Sequence, residues 1–242
     1  MNHKIYEISI FELGIAFLLV LPVLLFYFKW GISFRRALYS VFRMFIQLML
    51  IGYVLVYIFE GGMIYTVLIV LLVMISAAGW IALSVTEDHR KKLYFNGFAS
   101  IFLGGSISLF TVTFFVLKLE PWYEAAYLIP LAGMIYANAM NSVSLAVERM
   151  NYEMEKGADE QSAGKTAFQT SLIPVINSLF AVGLVSLPGM MTGQILSGVS
   201  PLTASRYQIV VMCMVLGSAG MSSGLFILMS RRYFTEYFSN QH

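Results

Sequence analysis

Two asparagines and a glutamate recur along one apolar stretch of the chain, ANAMNSVSLAVERM (residues 137–150). Asn138, Asn141 and Glu148 follow one another by three and seven residues, so a helix would place them on one face. Amide groups inside a membrane are expensive unless they find hydrogen-bond partners. Those partners could lie on another helix, as an interhelical clamp, or could be water and substrate along a polar pathway. Both interpretations stay open.

A second stretch, LPGMMTGQILSG (residues 187–198), interrupts another apolar run. Pro188 lacks an amide hydrogen and Gly189 tolerates unusual dihedral angles, so we expect the helix to kink or break there. Irregular backbone at membrane depth is tolerated only inside protein or beside a wet cavity. The side chains that follow the break are Met190, Met191, Thr192 and Gln194. We interpret the stretch as an outer gate or pathway lining, with a packed kink that ends the span as the alternative.

Candidate metal ligands are sparse in the apolar runs. Fifteen methionines could bind soft metals such as Cu(I), although methionine more often fills gaps between helices. His3, His89 and His242 all lie outside the runs, which predicts no intramembrane histidine site. A hard cation could still bind amide, carboxylate and carbonyl oxygens. Gln47 lies deep in the second run, and we include it among the candidate pathway residues. Any metal ligands stay unknown.

Membrane-spanning helices must position these residues. The chain has 242 residues, of which 59% are hydrophobic and 12% charged, whereas a soluble domain carries about 25% charged residues. Runs of about 20 apolar residues can cross a bilayer. Seven such runs occur, at Ile8–Phe28, Leu38–Phe59, Met63–Val85, Phe95–Leu117, Ala125–Val147, Leu172–Leu196 and Tyr207–Met229. We predict an all-α polytopic bundle of about seven transmembrane helices, a single transmembrane domain over residues 1–242 in the plasma (inner) membrane.

Basic residues indicate how the bundle is oriented. Alternate gaps between the runs, together with the C-terminal tail, hold twelve lysines and arginines. The other gaps, together with the N-terminus, hold only Lys4, Lys118 and Arg206. Because cytoplasmic loops carry the excess of positive charge, we predict the N-terminus outside and the C-terminus in the cytoplasm. Small residues, such as Ser100, Gly104 and Ser108, predict close helix packing within the bundle, with a dimer face as the alternative.

The longest gap, residues 148–171, is the predicted cytoplasmic contact. Good helix formers predict that the fifth span continues into this gap and stops near Gly157. The sequence AGKT (residues 163–166) is not a nucleotide-binding P-loop, because Asp159 stands where the motif requires glycine and no strand precedes it. No nucleophile and base are arranged for catalysis, so we expect neither an enzyme nor a cofactor bound by this chain. A partner-driven transporter is favoured over an autonomous secondary transporter or channel.

The stretches NAMNSVSLAVERM and LIPVINSLFAVGLVSLPGMMTGQILSGVSPLTASRYQIVVM resemble the Fet-type permease family of ABC transporters. That family includes bacterial iron-export permeases and plant aluminium-tolerance membrane proteins. The stretch FRMFIQLMLIGYVLVYIF resembles the family's second span. The similarity extends from Ser33 to the end of the seventh run.

The resemblance implies a permease that exports a metal ion or chelate, iron above all, by alternating access. ATP would be bound by a separate ATPase subunit, with two permeases and two ATPases in one assembly and no nucleic acid partner. A short cytoplasmic helix within Tyr152–Thr170 would dock on the ATPase. The residues expected to couple to the ATPase are Tyr152, Glu155, Gly157, Asp159, Glu160, Gly164 and Lys165.

Overall fold

The structure is a computed structural model that describes residues 9–61, 63–86 and 89–239, apart from the side chains of Ile10 and Glu60. All the longer regular elements in these ranges are helices. Six of the helices are long and apolar enough to cross a membrane. The predicted all-α polytopic membrane protein is confirmed. The chain forms two compact units, Met1–Gly61 and Gly62–His242.

The first unit is a helical hairpin. Its elements are α1 (Ile10–Phe17), a 3-10 turn (Leu18–Val20), α2 (Leu21–Lys29) and α3 (Phe34–Gly61). The helix begins at a capping box, because the Ser9 hydroxyl accepts from the Glu12 amide while the Ser9 amide donates to the Glu12 carboxylate. The rings of Phe17 and Phe45 pack edge to face at 5.9 Å. Gly31, at φ +66°, forms the turn between α2 and α3.

The second unit contains six helices. They are α4 (Ile64–Ala82), α5 (Arg90–Phe110), α6 (Ala125–Glu155), α7 (Glu160–Ala181), α8 (Gly189–Leu196) and α9 (Pro201–Ser239). A 3-10 turn, Leu83–Val85, follows α4, and a π-helical segment, Thr111–Val116, follows α5. The central helices are α5, α6 and α9, with α4 against α5 and α6, α7 against α6 and α9, and α8 against α9.

Small residues bring α5 and α9 close together. Ser100, Gly104 and Ser108 are buried on one face of α5. A Cβ atom added at Gly104 would lie 2.5 Å from Ser222 Oγ and 2.7 Å from the Ser222 amide nitrogen. The side chain at this position therefore has to be a hydrogen atom, and the predicted close packing within the bundle is confirmed for α5.

The sixth apolar run differs from the continuous span that the sequence predicted. Residues 172–196 are divided between the end of α7, an irregular segment Val182–Pro188 and α8. The first half of α7 is the polar sequence EQSAGKTAFQTS, so this helix is not among the six that are apolar enough to span. The other six predicted runs each coincide with a long apolar helix.

The basic connections gather at one end of the second unit. His89, before the basic start of α5, contacts Asn151 of α6 and Tyr233 of α9. Glu160, at the start of α7, forms an ion pair with Arg231 of α9. These contacts place the ends of α5, α6, α7 and α9 together, as the positive-inside rule requires of cytoplasmic connections. We call this the cytoplasmic end, and the opposite end the outer end.

Candidate transport pathway and cytoplasmic contact site

The break between α7 and α8 has internally satisfied backbone groups. The amides of Leu184, Val185 and Ser186 all donate to the Ala181 carbonyl, at 3.2, 2.8 and 3.2 Å. The amide of Gly183 donates to the Ser186 carbonyl at 3.0 Å, and Gly183 has φ +83°. Membrane interiors offer no water to an irregular backbone, so such internal bonding is what allows a break there.

The break begins at Val182, six residues before Pro188, where the sequence predicted it. Pro188 caps α8 in an extended conformation, and Gly189 is the first residue of that helix. The left-handed residue is Gly183, where only glycine avoids strain. The prediction of a break is confirmed, but the expectation that Gly189 supplies the unusual dihedral angles is wrong.

A cavity of about 400 Å³ lies at the outer end between α6, α8 and α9. Of the predicted pathway residues it brings together Met190 and Gln194. Thr192 instead donates its hydroxyl hydrogen to the Pro188 carbonyl at 3.1 Å, within α8. The cavity lining does not include Met191.

The sequence analysis missed three polar residues of this cavity, Tyr127, Thr203 and Tyr207. They lie at the start of α6 and the start of α9, in stretches where nothing in the spacing singles them out. Gln194 Oε1 is buried and accepts no hydrogen bond from any residue that the structure describes. A buried acceptor of this kind is costly unless a ligand or water donates to it.

The predicted polar face of α6 lies along one side of the second unit. Asn138 is half-buried and donates its side-chain amide to the Met134 carbonyl at 2.8 Å, one turn earlier in the same helix. Asn141 and Glu148 are exposed. Neither asparagine bonds to another helix among the described residues, so the clamp alternative has no support within this unit. Gln47 is exposed on α3, in the first unit.

The predicted cytoplasmic loop is a helical hairpin. As expected, α6 continues to Glu155 and stops before Gly157, which has φ +82°. Asp159 then caps α7, whose first residue is Glu160, so only residues 156–159 lie outside the two helices. No separate short helix lies between α6 and α7, which differs from what the resemblance implied.

The hairpin exposes an aromatic and charged tip. Lys156 Nζ lies 4.3 Å from the centre of the Tyr152 ring, and Arg149 lies on the same ring at 5.2 Å. Arg149 also pairs with Glu153 one turn later. Tyr152 is 40% exposed, and Glu155, Gly157 and Lys165 are exposed as well. These residues can contact a partner from the cytoplasm.

The start of α7 is attached to α9. Glu160 Oε1 lies 3.3 Å from Arg231 Nε, and Glu160 Oε2 accepts a hydrogen bond from the Thr235 hydroxyl at 3.0 Å. Gly164 is buried, and a Cβ atom there would lie 3.2 Å from Ile227 Cγ2. Gly164 therefore faces the bundle, whereas the other predicted coupling residues reach the surface or its edge.

Next to these contacts lies a cleft of about 780 Å³ between α6, α7 and α9. Its rim carries Asp159, Glu160, Lys165 and Arg231, and its floor is apolar. A hydrogen bond from the Ser162 side chain and another from the Ser162 amide lower the pKa of Asp159. Asp159 is therefore a carboxylate at neutral pH, on a rim that also carries the basic side chains of Lys165 and Arg231.

His89 joins three elements at the same end, which the sequence analysis did not predict. Its ring is 4% exposed, with Nε2 3.0 Å from Asn151 Oδ1 and Nδ1 2.8 Å from the Tyr233 hydroxyl. Because the amide oxygen can only accept, the ring donates from Nε2 to Asn151. The Tyr237 ring packs edge-on at 4.6 Å. The α4–α5 connection is thereby fixed to α6 and α9.

Comparison with known protein families assigns the chain. The model of the Uncharacterised protein family (UPF0014) matches residues 10–234. The chain belongs to the UPF0014 family. It is therefore a multi-pass membrane protein of the family that its sequence resembled.

Several characterised or named proteins are similar to this UPF0014 chain. "Probable iron export permease protein FetB" of Escherichia coli is 34% identical and covers 96% of this chain and 93% of its own length. "Protein ALUMINUM SENSITIVE 3" of Arabidopsis thaliana is 36% identical, covering 78% and 73%. A UPF0014 membrane protein of Synechocystis sp. is 33% identical over 100% and 98%. No solved structure matches the chain.

Proposed function

We propose that this chain is the permease subunit of an ABC transporter that exports a metal such as iron. The observation that carries the proposal is the similarity to FetB over almost the whole of both chains. In this proposal the chain is not an enzyme and binds no cofactor. A separate ATPase subunit binds and hydrolyses ATP, and two permeases assemble with two ATPases.

The cytoplasmic hairpin is the proposed ATPase contact. Its turn is exposed, and Glu160, the residue that follows the turn, is paired with Arg231 of α9. A force applied to the tip would therefore reach α9, which extends to the outer cavity. Coupling of this kind requires an element with two arrangements that the partner can favour differently.

The two openings support alternating access. The cleft opens at the cytoplasmic end and the cavity at the outer end, and both are lined by α6 and α9. Small buried residues occur along both helices, including Ala139 of α6 and Ser218 and Ala219 of α9. Movement of α7 and α8 against α6 and α9 would open one side as it closes the other. The polar face of α6 would line the path only if another surface packed against it. That face carries Asn138, Asn141 and Glu148.

Copurification tests the partner. The tagged chain is isolated in mild detergent from its own host, and ATP hydrolysis is measured on the material recovered. We expect a stoichiometric ATPase subunit that is lost from the double variant Tyr152→Ala, Lys156→Glu. Arg206→Glu, an exposed change at the outer end, is the matched control and should keep the subunit. Recovery of the chain alone would contradict the proposal and favour a gradient-driven transporter or channel.

Transport tests cargo and direction. Inverted membrane vesicles containing both subunits should accumulate radioactive iron when ATP is supplied, because the cytoplasmic face is then outward. Vesicles with an ATPase unable to hydrolyse ATP are the control. The opposite result would reverse the proposed direction. In that case right-side-out vesicles loaded with ATP would take up iron, and inverted vesicles supplied with ATP would not.

A further inference from the structure

The outer cavity has the size and lining of a small-molecule site. Its volume of about 400 Å³ falls within the range of roughly 300–1,000 Å³ that is typical of ligand pockets. The lining is mainly apolar, with contributions from the π-helical segment and the residue after it, from α6, from α8 and from α9. A few polar groups converge in it, on Tyr127, Gln194, Thr203 and Tyr207.

These polar groups are all neutral, and several are available to a ligand. The hydroxyls of Tyr127 and Tyr207 make no hydrogen bond to any residue in the described ranges, and Gln194 Oε1 is a buried acceptor without a donor. Thr203 shares its hydroxyl with Ser200 at 2.9 Å. Met190 adds a thioether. The lining residues carry no formal charge.

A bare metal cation fits this lining poorly. The free-energy cost of taking an ion out of water is roughly several kcal/mol unless opposite charges and hydrogen bonds replace its hydration shell. Hard cations are bound by six or more oxygen ligands, usually with carboxylates among them. Neutral hydroxyls and an amide offer hydrogen bonds and aromatic contact instead, which suits an organic molecule.

We propose that the outer cavity binds a charge-neutral metal chelate, in which organic ligands already surround the ion. The chelate's oxygen atoms would accept from the Tyr127 and Tyr207 hydroxyls, and a hydroxyl or amide on it would donate to Gln194 Oε1. Its apolar edges would contact the valines and leucines of the wall. This inference takes from the proposed function only that the cargo contains a metal.

Equilibrium binding to the purified permease tests the site without the ATPase. The probes are ferric trimaltol, which is neutral, ferric EDTA, which is anionic, and ferrous ion kept reduced with ascorbate. We expect saturable binding of ferric trimaltol alone. Tyr127→Phe and Tyr207→Phe should each weaken it about five- to tenfold, the usual effect of one lost hydrogen bond, because the oxygen atoms of this complex can accept from both hydroxyls. Thr192→Ala, on α8 but outside the cavity, should leave binding unchanged.

A second variant separates binding from folding. Val210→Phe adds bulk to the cavity wall, so it should abolish trimaltol binding while the thermal unfolding temperature stays within a few degrees of the wild type. Saturable binding of ferrous ion that the same variants weaken would overturn the proposal. So would equal binding of the anionic complex, or trimaltol binding that none of the cavity variants changes.

The two proposals can fail separately. Trimaltol binding without a copurifying ATPase would contradict the ABC transporter and leave the cavity assignment standing. ATP-driven iron export by a permease whose cavity binds no neutral chelate would leave the transporter standing and overturn the cavity assignment.

Discussion

Gly104 determines how closely α5 and α9 approach. The backbone of Ser222 lies where a side chain at position 104 would begin, so even a methyl group has to displace one helix. We expect Gly104→Ala to lower the free energy of unfolding by about 1–3 kcal/mol, the usual cost of overpacking. Thermal unfolding in detergent measures the change.

The matched control for this prediction is Gly220→Ala, on α9. No atom lies within 4 Å of a Cβ added at Gly220, and alanine is the better helix former. We expect the control to unfold at the wild-type temperature or slightly above it. Equal destabilisation by both substitutions would show that the tight contact with Ser222 does not determine the stability.

Asp159 gives the start of α7 a pH-dependent cap. Hydrogen bonds from the Ser162 side chain and amide favour the carboxylate, so the pKa is lower in the folded protein than in the unfolded chain. The contribution to stability is complete above the unfolded pKa, about 3.9, and is lost as the pH falls through the lower folded value. Amide hydrogen exchange in the first turn of α7 should therefore accelerate at acidic pH relative to Asp159→Asn.

The asparagine variant is informative because its side-chain oxygen caps a helix at any pH. The ratio of the two exchange rates should be constant between pH 5 and pH 8 and change below about pH 4. A ratio that is independent of pH down to pH 2.5 would contradict an ionised cap.

Single residues show where sequence reasoning is reliable. The close contact at Gly104 and the helix stop at Gly157 were both predicted, because each depends on local chemistry: a missing side chain or a glycine after good helix formers. The partners of His89 and the lining by Tyr127 and Tyr207 were not predicted. Those contacts join residues far apart in the sequence, and no spacing within one helix can reveal them.

At the scale of elements, the break between α7 and α8 depends on one glycine rather than on the Pro-Gly pair. Gly183 has φ +83°, a conformation that costs other residues about 1–2 kcal/mol. Gly189 is helical, and no atom lies within 4 Å of a Cβ added there. We expect Gly183→Ala to destabilise the protein by that amount and Gly189→Ala to be neutral, as measured by thermal unfolding.

Proline contributes differently at this break. Pro188 caps α8, so its missing amide hydrogen costs no helical bond, and its ring favours the extended conformation it adopts. The Pro-Gly pair therefore predicted that a break exists but misplaced its start. The start of α7 was also mispredicted. The first half of this helix is polar, so the apolar run that predicted it begins only at Leu172, whereas the helix begins at Glu160.

At the scale of the whole molecule, opposite ends of the second unit should be accessible from opposite sides of the membrane. In a background with Cys213 replaced, Lys156→Cys should react with an impermeant thiol reagent only in inverted vesicles. Lys118→Cys, beyond the π-helical segment, should react only in intact cells. Labelling of both from one side would contradict the predicted orientation.

The sequence predicted six of the spans, because hydropathy and length decide which helices cross a bilayer. It also predicted their sidedness from the placement of lysine and arginine, and the basic connections of the second unit lie together at one end of that unit. It could not predict how α6, α7 and α9 enclose a cleft and a cavity. That depends on packing between helices, which is determined by the shapes of surfaces that meet only in the folded protein.

The close contact between Gly104 and Ser222 divides α9 into two arms, roughly 32 Å and 25 Å long at about 1.5 Å per residue. The outer arm carries Thr203 and Tyr207, and the inner arm carries Arg231 and Thr235. A rod that pivots at one point moves its two ends in opposite directions. A rotation of about 10° around Ser222 would shift each end by about 5 Å. Motion applied beside Glu160 would thus reappear, reversed in sense and nearly equal in size, at the wall of the outer cavity.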